Sequence, residues 1–260
     1  LLNISQEVEF VEDTFMHKGV SHPAATCKTD FGIAWVNRRG CYLYDGQKVN
    51  NLLEKGGRQI IKESDWASFT TDNSIIGYVP KKRQLIVLKD CTATSTGDIY
   101  LFDIVTQSWV KGDTKFTDSQ IQTNFVTDWN GDLVHAHTSG TGTIEKWDDT
   151  GDDSTAFVIQ TKDIDFGQPA QKKKIYKVYV TYTGVSSLSV NVDYQINGDN
   201  GWNGFSSGEP LTASSAQNEA TLTLSSPVEC YSFQLRFSGT GKTTFEINDA
   251  TIVFRLKGQR

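Results

Sequence analysis

Three stretches of the sequence share one pattern of short strands and polar turns, and this repeat limits the folds open to the chain. In each stretch an apolar strand, a polar turn and a second strand lead to an apolar-aromatic strand that ends in aspartate. The stretches cover residues 32–49, 75–113 and 124–160, and their aspartates are Asp45, Asp103 and Asp148. A repeat of about 40 to 50 residues with four short strands predicts propeller blades, because one such sheet cannot bury both of its faces alone.

Details inside the repeats favour the same interpretation. Residues 129–132 place an Asn-Gly pair between two strands, and both residues tolerate positive φ, which favours a tight hairpin. Trp109 follows Asp103 at the start of the outer strand, which resembles the kelch-like blade, where a Trp or Tyr fills the space between sheets. Three repeats are too few for a closed ring, since propellers have roughly 4 to 8 blades. We therefore expect residues 1–167 to form a partial ring that further blades or other subunits complete.

The character of the sequence changes at residues 166–170, where Pro169 cannot donate a hydrogen bond to a strand ladder. Beyond it, several segments alternate between apolar and polar side chains with the period of a strand. The first predicted strand has one face of Ile175, Lys177, Tyr179 and Thr181 and an opposite face of Tyr176, Val178, Val180 and Tyr182. The second strand has a face of Leu188, Val190, Val192, Tyr194 and Ile196. A later strand has a face of Tyr231, Phe233, Leu235 and Phe237. Antiparallel strands of this kind predict a jelly-roll-like β-sandwich over residues 168–260, and an all-β chain of two domains.

Charge and hydropathy exclude several classes of protein. The chain has 25 Lys and Arg against 31 Asp and Glu, a net charge of −6, whereas nucleic-acid binders usually carry a basic balance. No stretch reaches the ~18 apolar residues that a membrane span needs. We therefore expect no specific nucleic-acid binding and no membrane partner.

The four cysteines, Cys27, Cys41, Cys91 and Cys230, are scattered and form no C-x-x-C motif. This spacing predicts free thiols in a protein made in a reducing cytoplasm rather than a disulfide framework or a zinc ribbon. Cys27 and Cys41 would pair only if neighbouring strands bring them together.

Two features could hold a cation. His135 and His137 lie two apart on a predicted strand, so they share a face and could supply two metal ligands, although no third ligand is evident. The alternative is an ordinary pair of strand histidines. Asp148, Asp149, Asp152 and Asp153 crowd into one turn without the ordered ligand spacing of a calcium loop. The sequence therefore predicts no metal and no cofactor.

Two further features could bind a partner. The loop 196–210 carries Trp202 and Phe205 among Asn and Gly, and these exposed-looking rings could pack in the core, contact another subunit or stack on a sugar. Lys172, Lys173 and Lys174 stand at a strand entrance, where they predict a solvated junction or a contact with an acidic neighbouring subunit. Three lysines do not by themselves make a nucleic-acid site.

The sequence contains no G-x-S-x-G, H-E-x-x-H or complete Walker motif, so we expect no enzyme. A propeller hydrolase that uses Asp and Glu near the blade axis is an alternative, and it requires a deep pocket with converging carboxylates.

Four phrases of the second half, TKDIDFG, KIYKVYVTY, YSFQLRFSG and FEINDATIVFRLKG, resemble the C-terminal region of tail structural proteins of marine tailed bacteriophages. The upstream phrase GIAWVNRRGCYLYDG resembles the propeller-type repeats that precede that region. The resemblance covers about residues 30–257. It maps no catalytic residue. The nozzle of short-tailed phages is a related comparison, although this chain is much shorter than a nozzle subunit.

The resemblance implies a structural protein that assembles into the virion tail as part of a tube, nozzle or hub. Its partners would be other tail proteins and copies of itself. It would be made in the cytoplasm of the host bacterium and then belong to the virion. The alternative is a carbohydrate- or receptor-binding β-module that contacts a host-surface glycan.

Overall fold

A computed structural model describes residues 2–4, 9–11, 14–92, 97–116, 125–137, 143–147, 155–184, 189–199, 201–212, 214–241 and 245–258. Over these ranges the chain is all-β, as predicted, and its one α-helix, α1, spans Glu63–Phe69. The chain divides into two compact units, Leu1–Asp148 and Asp149–Arg260.

The first unit is a series of antiparallel meanders. A hairpin of β1 (Leu2–Ile4) and β2 (Glu9–Val11) precedes a 3₁₀ turn at Pro23–Ala25. The first sheet consists of β3 (Thr26–Thr29), β4 (Gly32–Asn37), β5 (Gly40–Tyr44) and β6 (Val49–Asn51), and a small hairpin of β7 (Glu54–Lys55) and β8 (Arg58–Gln59) leads to α1. The second sheet consists of β9 (Ile75–Val79), β10 (Gln84–Leu88), β11 (Gly97–Asp103) and β12 (Ser108–Phe116), and the third of β13 (Val126–Thr127), β14 (Leu133–His137) and β15 (Thr143–Lys146). In each sheet the strands pair in chain order.

The second sheet is buried on both faces. Ile76, Tyr78, Leu85 and Val87 pack into one cluster with the first sheet, and Ile75, Val79, Ile86 and Leu88 pack into another that includes Leu133 of the third sheet. The two strands β9 and β10 therefore read as continuous apolar runs rather than as an alternating pattern. Sheet stacks on sheet as the repeat predicts, and in the described ranges the three sheets do not close a ring.

The repeat aspartates Asp45 and Asp103 occupy equivalent turns. The Oδ1 atom of each accepts hydrogen bonds from the backbone N–H groups of the second and third residues after it, at 2.8 to 3.0 Å. The bond from Lys48 is the main cause that lowers the pKa of Asp45, and the bond from Thr106 does the same for Asp103. The third repeat aspartate, Asp148, lies outside the described residues.

Tryptophan fills the space between the first two sheets, as the repeat predicts. The Nε1 atom of Trp109, on β12, donates to the carbonyl oxygen of Leu52 at 2.8 Å. The Trp109 ring lies edge-on to Trp66 of α1, with 5.5 Å between ring centroids. Trp66 is fully buried and donates to the carbonyl oxygen of Asn37 at 2.9 Å. One aromatic cluster therefore fastens both sheets and the helix together.

The second unit is a sandwich of two antiparallel sheets. Its strands are β16 (Thr155–Gln160), β17 (Lys173–Gly184), β18 (Ser189–Ile196), β19 (Asn203–Gly204), β20 (Ser214–Cys230), β21 (Phe233–Gly241) and β22 (Glu246–Leu256). One sheet has the order β16-β21-β18-β19 and the other the order β20-β17-β22. The core between them contains the buried apolar side chains Ile175, Val178, Val180, Tyr182, Val190, Val192, Leu222, Phe233, Leu235 and Phe237.

The assignment of residues 155–160 to the third repeat is wrong. These residues form β16, which pairs with β21 over its whole length and so belongs to the sandwich. The two units accordingly divide between Asp148 and Asp149, ahead of the boundary predicted at residue 167.

Two details of the predicted strand faces are also wrong. The pairing of β17 shifts register between Ile175 and Lys177, and this irregularity puts Ile175 in the core with Val178 instead of on the opposite face. Tyr231 precedes β21, which begins at Phe233, so Tyr231 is exposed while Phe233 is buried. The predicted core positions of β18 are confirmed for Val190 and Val192, and Leu188 lies outside the described residues.

All four cysteines are free, as predicted. Cys27 lies on β3 and Cys41 on β5, and β4 separates these strands in the sheet. Neighbouring strands therefore do not bring the two thiols together.

Because Cys27 is buried, we expect the first unit to become less stable as pH rises through the alkaline range. Burial raises the pKa of its thiol from an ordinary value near 9 to about 12. The folded chain therefore keeps a proton that the unfolded chain releases above pH 9, and the free energy of unfolding falls as pH rises from about 9 towards about 12. We expect Cys27 to account for about 1 kcal/mol of this loss at pH 10. Urea denaturation of wild type and Cys27→Ala at pH 8 and pH 10 measures that share, and equal losses in both proteins would contradict it.

Candidate interaction surfaces

Of the two candidate metal-ligating histidines, the structure describes the side chain of His135. His135 is buried on β14, with its ring edge-on to Phe116 at 4.9 Å and to Phe125 at 6.0 Å between ring centroids. The side chain of His137 and the acidic run 148–153 lie outside what the structure describes. Within the described ranges no group of three His, Cys, Asp or Glu side chains could hold a metal ion. His135 is thus a core residue of the stacked sheets.

The loop with the candidate sugar-binding rings packs into the sandwich. Phe205 is only 7% exposed and contacts Tyr194, with 5.1 Å between ring centroids. For Phe205 the structure agrees with the first of the three alternatives, packing in the core, because β19 pairs with β18 and brings the loop onto the core. The guanidinium of Arg236 lies 4.5 Å from the centroid of Trp202 and also binds Asp193 through two hydrogen bonds. The predicted contact with a host glycan now rests on Trp202 alone.

The three consecutive lysines at the start of the sandwich have different surroundings. Lys172 is exposed, Lys174 is half-buried and Lys173 is fully buried. The Lys173 ammonium donates to the carbonyl oxygen of Tyr231 at 2.9 Å and to that of Gln168. The prediction of a solvated junction is therefore wrong for Lys173, which joins the turn before β17 to the turn before β21.

A groove of about 720 Å³ in the first unit contains the carboxylates Glu54 and Glu63. Arg39 and Tyr42 line the same groove. Glu54 accepts a hydrogen bond from the Nδ2 atom of Asn51 at 2.9 Å, which orients its carboxylate at the start of β7. Burial, and then the charge of Glu63, raise the pKa of Tyr42, so its phenol stays protonated at neutral pH. The groove thus contains both cationic and anionic side chains, and its charge favours neither an anionic nor a cationic ligand.

The outer face of the third sheet, defined as Val126, Val134, Ala136 and Ile144, is mostly apolar. Lys146 pairs with Val134 on the same face, and its ammonium forms an ion pair with Asp132 at 3.0 Å. Val126 pairs with Val134 and Ala136 pairs with Ile144, so all four side chains share the face opposite Leu133. Val126 is 56% exposed and Ile144 is 76% exposed. The sequence analysis did not single out these residues, although the adjacent apolar residues Leu133 and Val134 could have indicated a strand with apolar side chains on both faces.

The outer face of the first sheet, defined as Ile33, Trp35 and Tyr44, is partly apolar, and the exposed Lys28 pairs with Ile33 on the same face. Ile33 pairs with Tyr44 and is exposed, while Trp35 is half-buried. The Nε1 atom of Trp35 donates to the carbonyl oxygen of Lys18 at 2.6 Å, so residues near Lys18 cover part of this face. The stack of three sheets therefore presents apolar side chains at each of its two ends.

Comparisons with known proteins do not assign the chain to a family. No protein-family model matches the chain, and a search of curated proteins finds no match either. Among the described residues, no helix has the length and apolar character needed to cross a membrane.

Proposed function

We propose that this chain is a structural protein of a bacteriophage tail, which assembles with its own copies and with other tail proteins and performs no catalysis. The observation that carries the proposal is the exposed apolar outer face of the third sheet. The resemblance of the sequence to tail proteins supplies the biological setting.

The occupant that we propose for this face is a second copy of the chain. Among the described residues, the second sheet packs against a sheet on each side, whereas the third sheet packs on one side only. Packing its outer face on the outer face of the first sheet of a neighbouring copy would continue the same stack. Such a contact joins different surfaces of the two copies, and repetition of it builds a ring or a filament. Rings and tubes are the forms that a tail component needs.

A charge placed on the outer face of the third sheet is expected to weaken self-association at least about 100-fold, because a buried lysine without a partner costs several kcal/mol. The variant is Ile144→Lys, and the measurement is sedimentation velocity over a range of protein concentrations. The matched control is Val105→Lys, which changes an equally apolar and exposed residue in the turn after β11. Equal association of wild type and Ile144→Lys would contradict the proposed contact.

A mixing experiment tests which two faces meet. Ile33→Lys alters the outer face of the first sheet and should also prevent oligomers from growing. Each of the two variants keeps one intact face, so an equimolar mixture of Ile33→Lys and Ile144→Lys should form dimers that neither forms alone. If Ile33→Lys associates like wild type, the third sheet meets its own counterpart and the head-to-tail arrangement is wrong.

The role in a phage is tested separately from self-association. Mass spectrometry of purified particles should detect this chain in many copies, and immunogold labelling should place it on the tail. Particles that lack the chain would contradict the tail role, even if the isolated protein forms oligomers.

A further inference from the structure

The second unit carries a groove of about 860 Å³ whose charge differs from that of the chain as a whole. It lies where β17 begins and where β20 and β22 end. Lys172, Arg255 and Lys257 line it, and Lys174 pairs in register with Arg255 on β22. Four cations thus gather at one end of the sandwich, in a chain with a net charge of −6. We call this feature the basic groove.

One carboxylate, Glu229, accompanies these cations, and it already has a partner. Glu229 forms an ion pair with Lys257, and the hydrogen bond in that pair, followed by the charges of Lys257, Lys172 and Lys174, lowers the pKa of Glu229. Among the described residues, no ion pair involves Lys172, Lys174 or Arg255. With four cations and one carboxylate, the described part of the basic groove has an excess of three positive charges.

Apolar groups lie beside the charges. Tyr231 and Leu256 line the basic groove and are both exposed. The Lys172 ammonium lies 5.7 Å from the centroid of the Tyr231 ring. A ligand that fits this surface carries negative charge together with apolar groups.

The backbone at the same place is the edge of a sheet. In the described part of the chain, β22 pairs with β17 on one side only. Lys257 directs its N–H to the carbonyl oxygen of Lys172 at 2.9 Å, and its own carbonyl oxygen accepts from Gln171 at 2.7 Å. Alternate residues of an antiparallel strand direct their amide groups to opposite sides, so those of Leu256 point to the open edge. An open edge of this kind can pair with an extended peptide.

We propose that the basic groove binds an extended acidic peptide segment of a different partner protein, paired along the end of β22. Acidic side chains of the peptide meet Arg255 and Lys172, which line the groove, and apolar side chains that alternate with them meet Leu256. The backbone edge favours a peptide over a glycan or a nucleic acid, neither of which can continue a strand ladder. The site is separate from the stacked sheets and does not depend on the tail role.

The probe for this site is a fluorescein-labelled peptide of alternating Asp and Val residues, followed by fluorescence anisotropy with the full chain. The double variant Lys172→Glu with Arg255→Glu is expected to bind it at least about 10-fold more weakly, since each exposed ion pair contributes up to about 1 kcal/mol and reversal adds repulsion. The matched control is Lys48→Glu with Arg58→Glu, which makes the same charge change at exposed positions of the first unit. Thermal melts confirm that both variants stay folded.

Four results would overturn the proposal. The first is that the double variant binds the peptide as well as wild type does. The second is that a peptide of alternating Asn and Val binds equally, which would mean that charge does not matter. The third is that single-stranded oligothymidine binds more tightly than the peptide, which would make the groove a nucleic-acid site. The fourth is that the double variant changes the self-association of the chain, which would make a second copy the occupant.

Discussion

Replacing Trp66 with alanine is expected to lower the free energy of unfolding of the first unit by about 4 kcal/mol. The side chain is fully buried and its ring lies within 6.0 Å of Phe69, Tyr100 and Trp109, measured between ring centroids. Its removal leaves a cavity between two sheets and also leaves the carbonyl oxygen of Asn37 without its indole donor. Urea denaturation followed by far-ultraviolet circular dichroism measures the loss.

Trp129→Ala is the matched control for that experiment. Trp129 is 96% exposed in the turn between β13 and β14, so its removal creates no cavity, and we expect a change within about 0.5 kcal/mol. Similar losses for Trp66→Ala and Trp129→Ala would mean that the aromatic cluster does not hold the first two sheets together.

Phe233→Ala is expected to destabilise the second unit by about 4 kcal/mol. Phe233 is fully buried at the start of β21, and its ring stacks on Tyr194 with 5.4 Å between centroids and an angle of 12° between planes. It packs between the two sheets of the sandwich, so its removal takes contacts from both. Chemical denaturation followed by circular dichroism measures the effect.

The variant Tyr231→Ala tests whether Tyr231 is exposed, as in the structure, or buried, as the alternating sequence pattern predicts. The alternating pattern put Tyr231 and Phe233 on the same buried face, whereas Tyr231 is 44% exposed. We expect Tyr231→Ala to cost less than about 1 kcal/mol. A loss as large as that of Phe233→Ala would show that the predicted face was right.

Features that depend on neighbouring residues in the sequence could be predicted. The turns at Asp45 and Asp103 form because each side chain bonds to backbone groups two and three residues later, so the repeat carries its own geometry. The alternation in β18 likewise places Val190 and Val192 in the core without reference to any distant residue.

Features that depend on distant pairing could not be predicted. The sequence of residues 155–160 is compatible with a strand in either unit. Only their pairing with β21, far along the chain, assigns them to the sandwich. Relative to β22, β17 has one extra residue between Ile175 and Lys177, and hydrophobicity alone does not show where such a shift occurs.

The candidate surfaces escaped sequence analysis for the same reason. Aromatic residues in a polar loop drew attention to Trp202 and Phe205, but the pairing of β19 with β18 brings Phe205 into the core. Ile144 reads as an ordinary strand residue, and its exposure follows from the absence of a further sheet beyond it among the described residues.

Because both faces of the second sheet are buried, its position determines where a meander can be added to the series or removed from it. Deleting a whole meander from the middle of the series would force two unrelated apolar surfaces to match, whereas adding one beyond β15 would cover side chains that now contact water. We therefore expect the fold to tolerate a change in the number of meanders at the ends of the series and to require the central one.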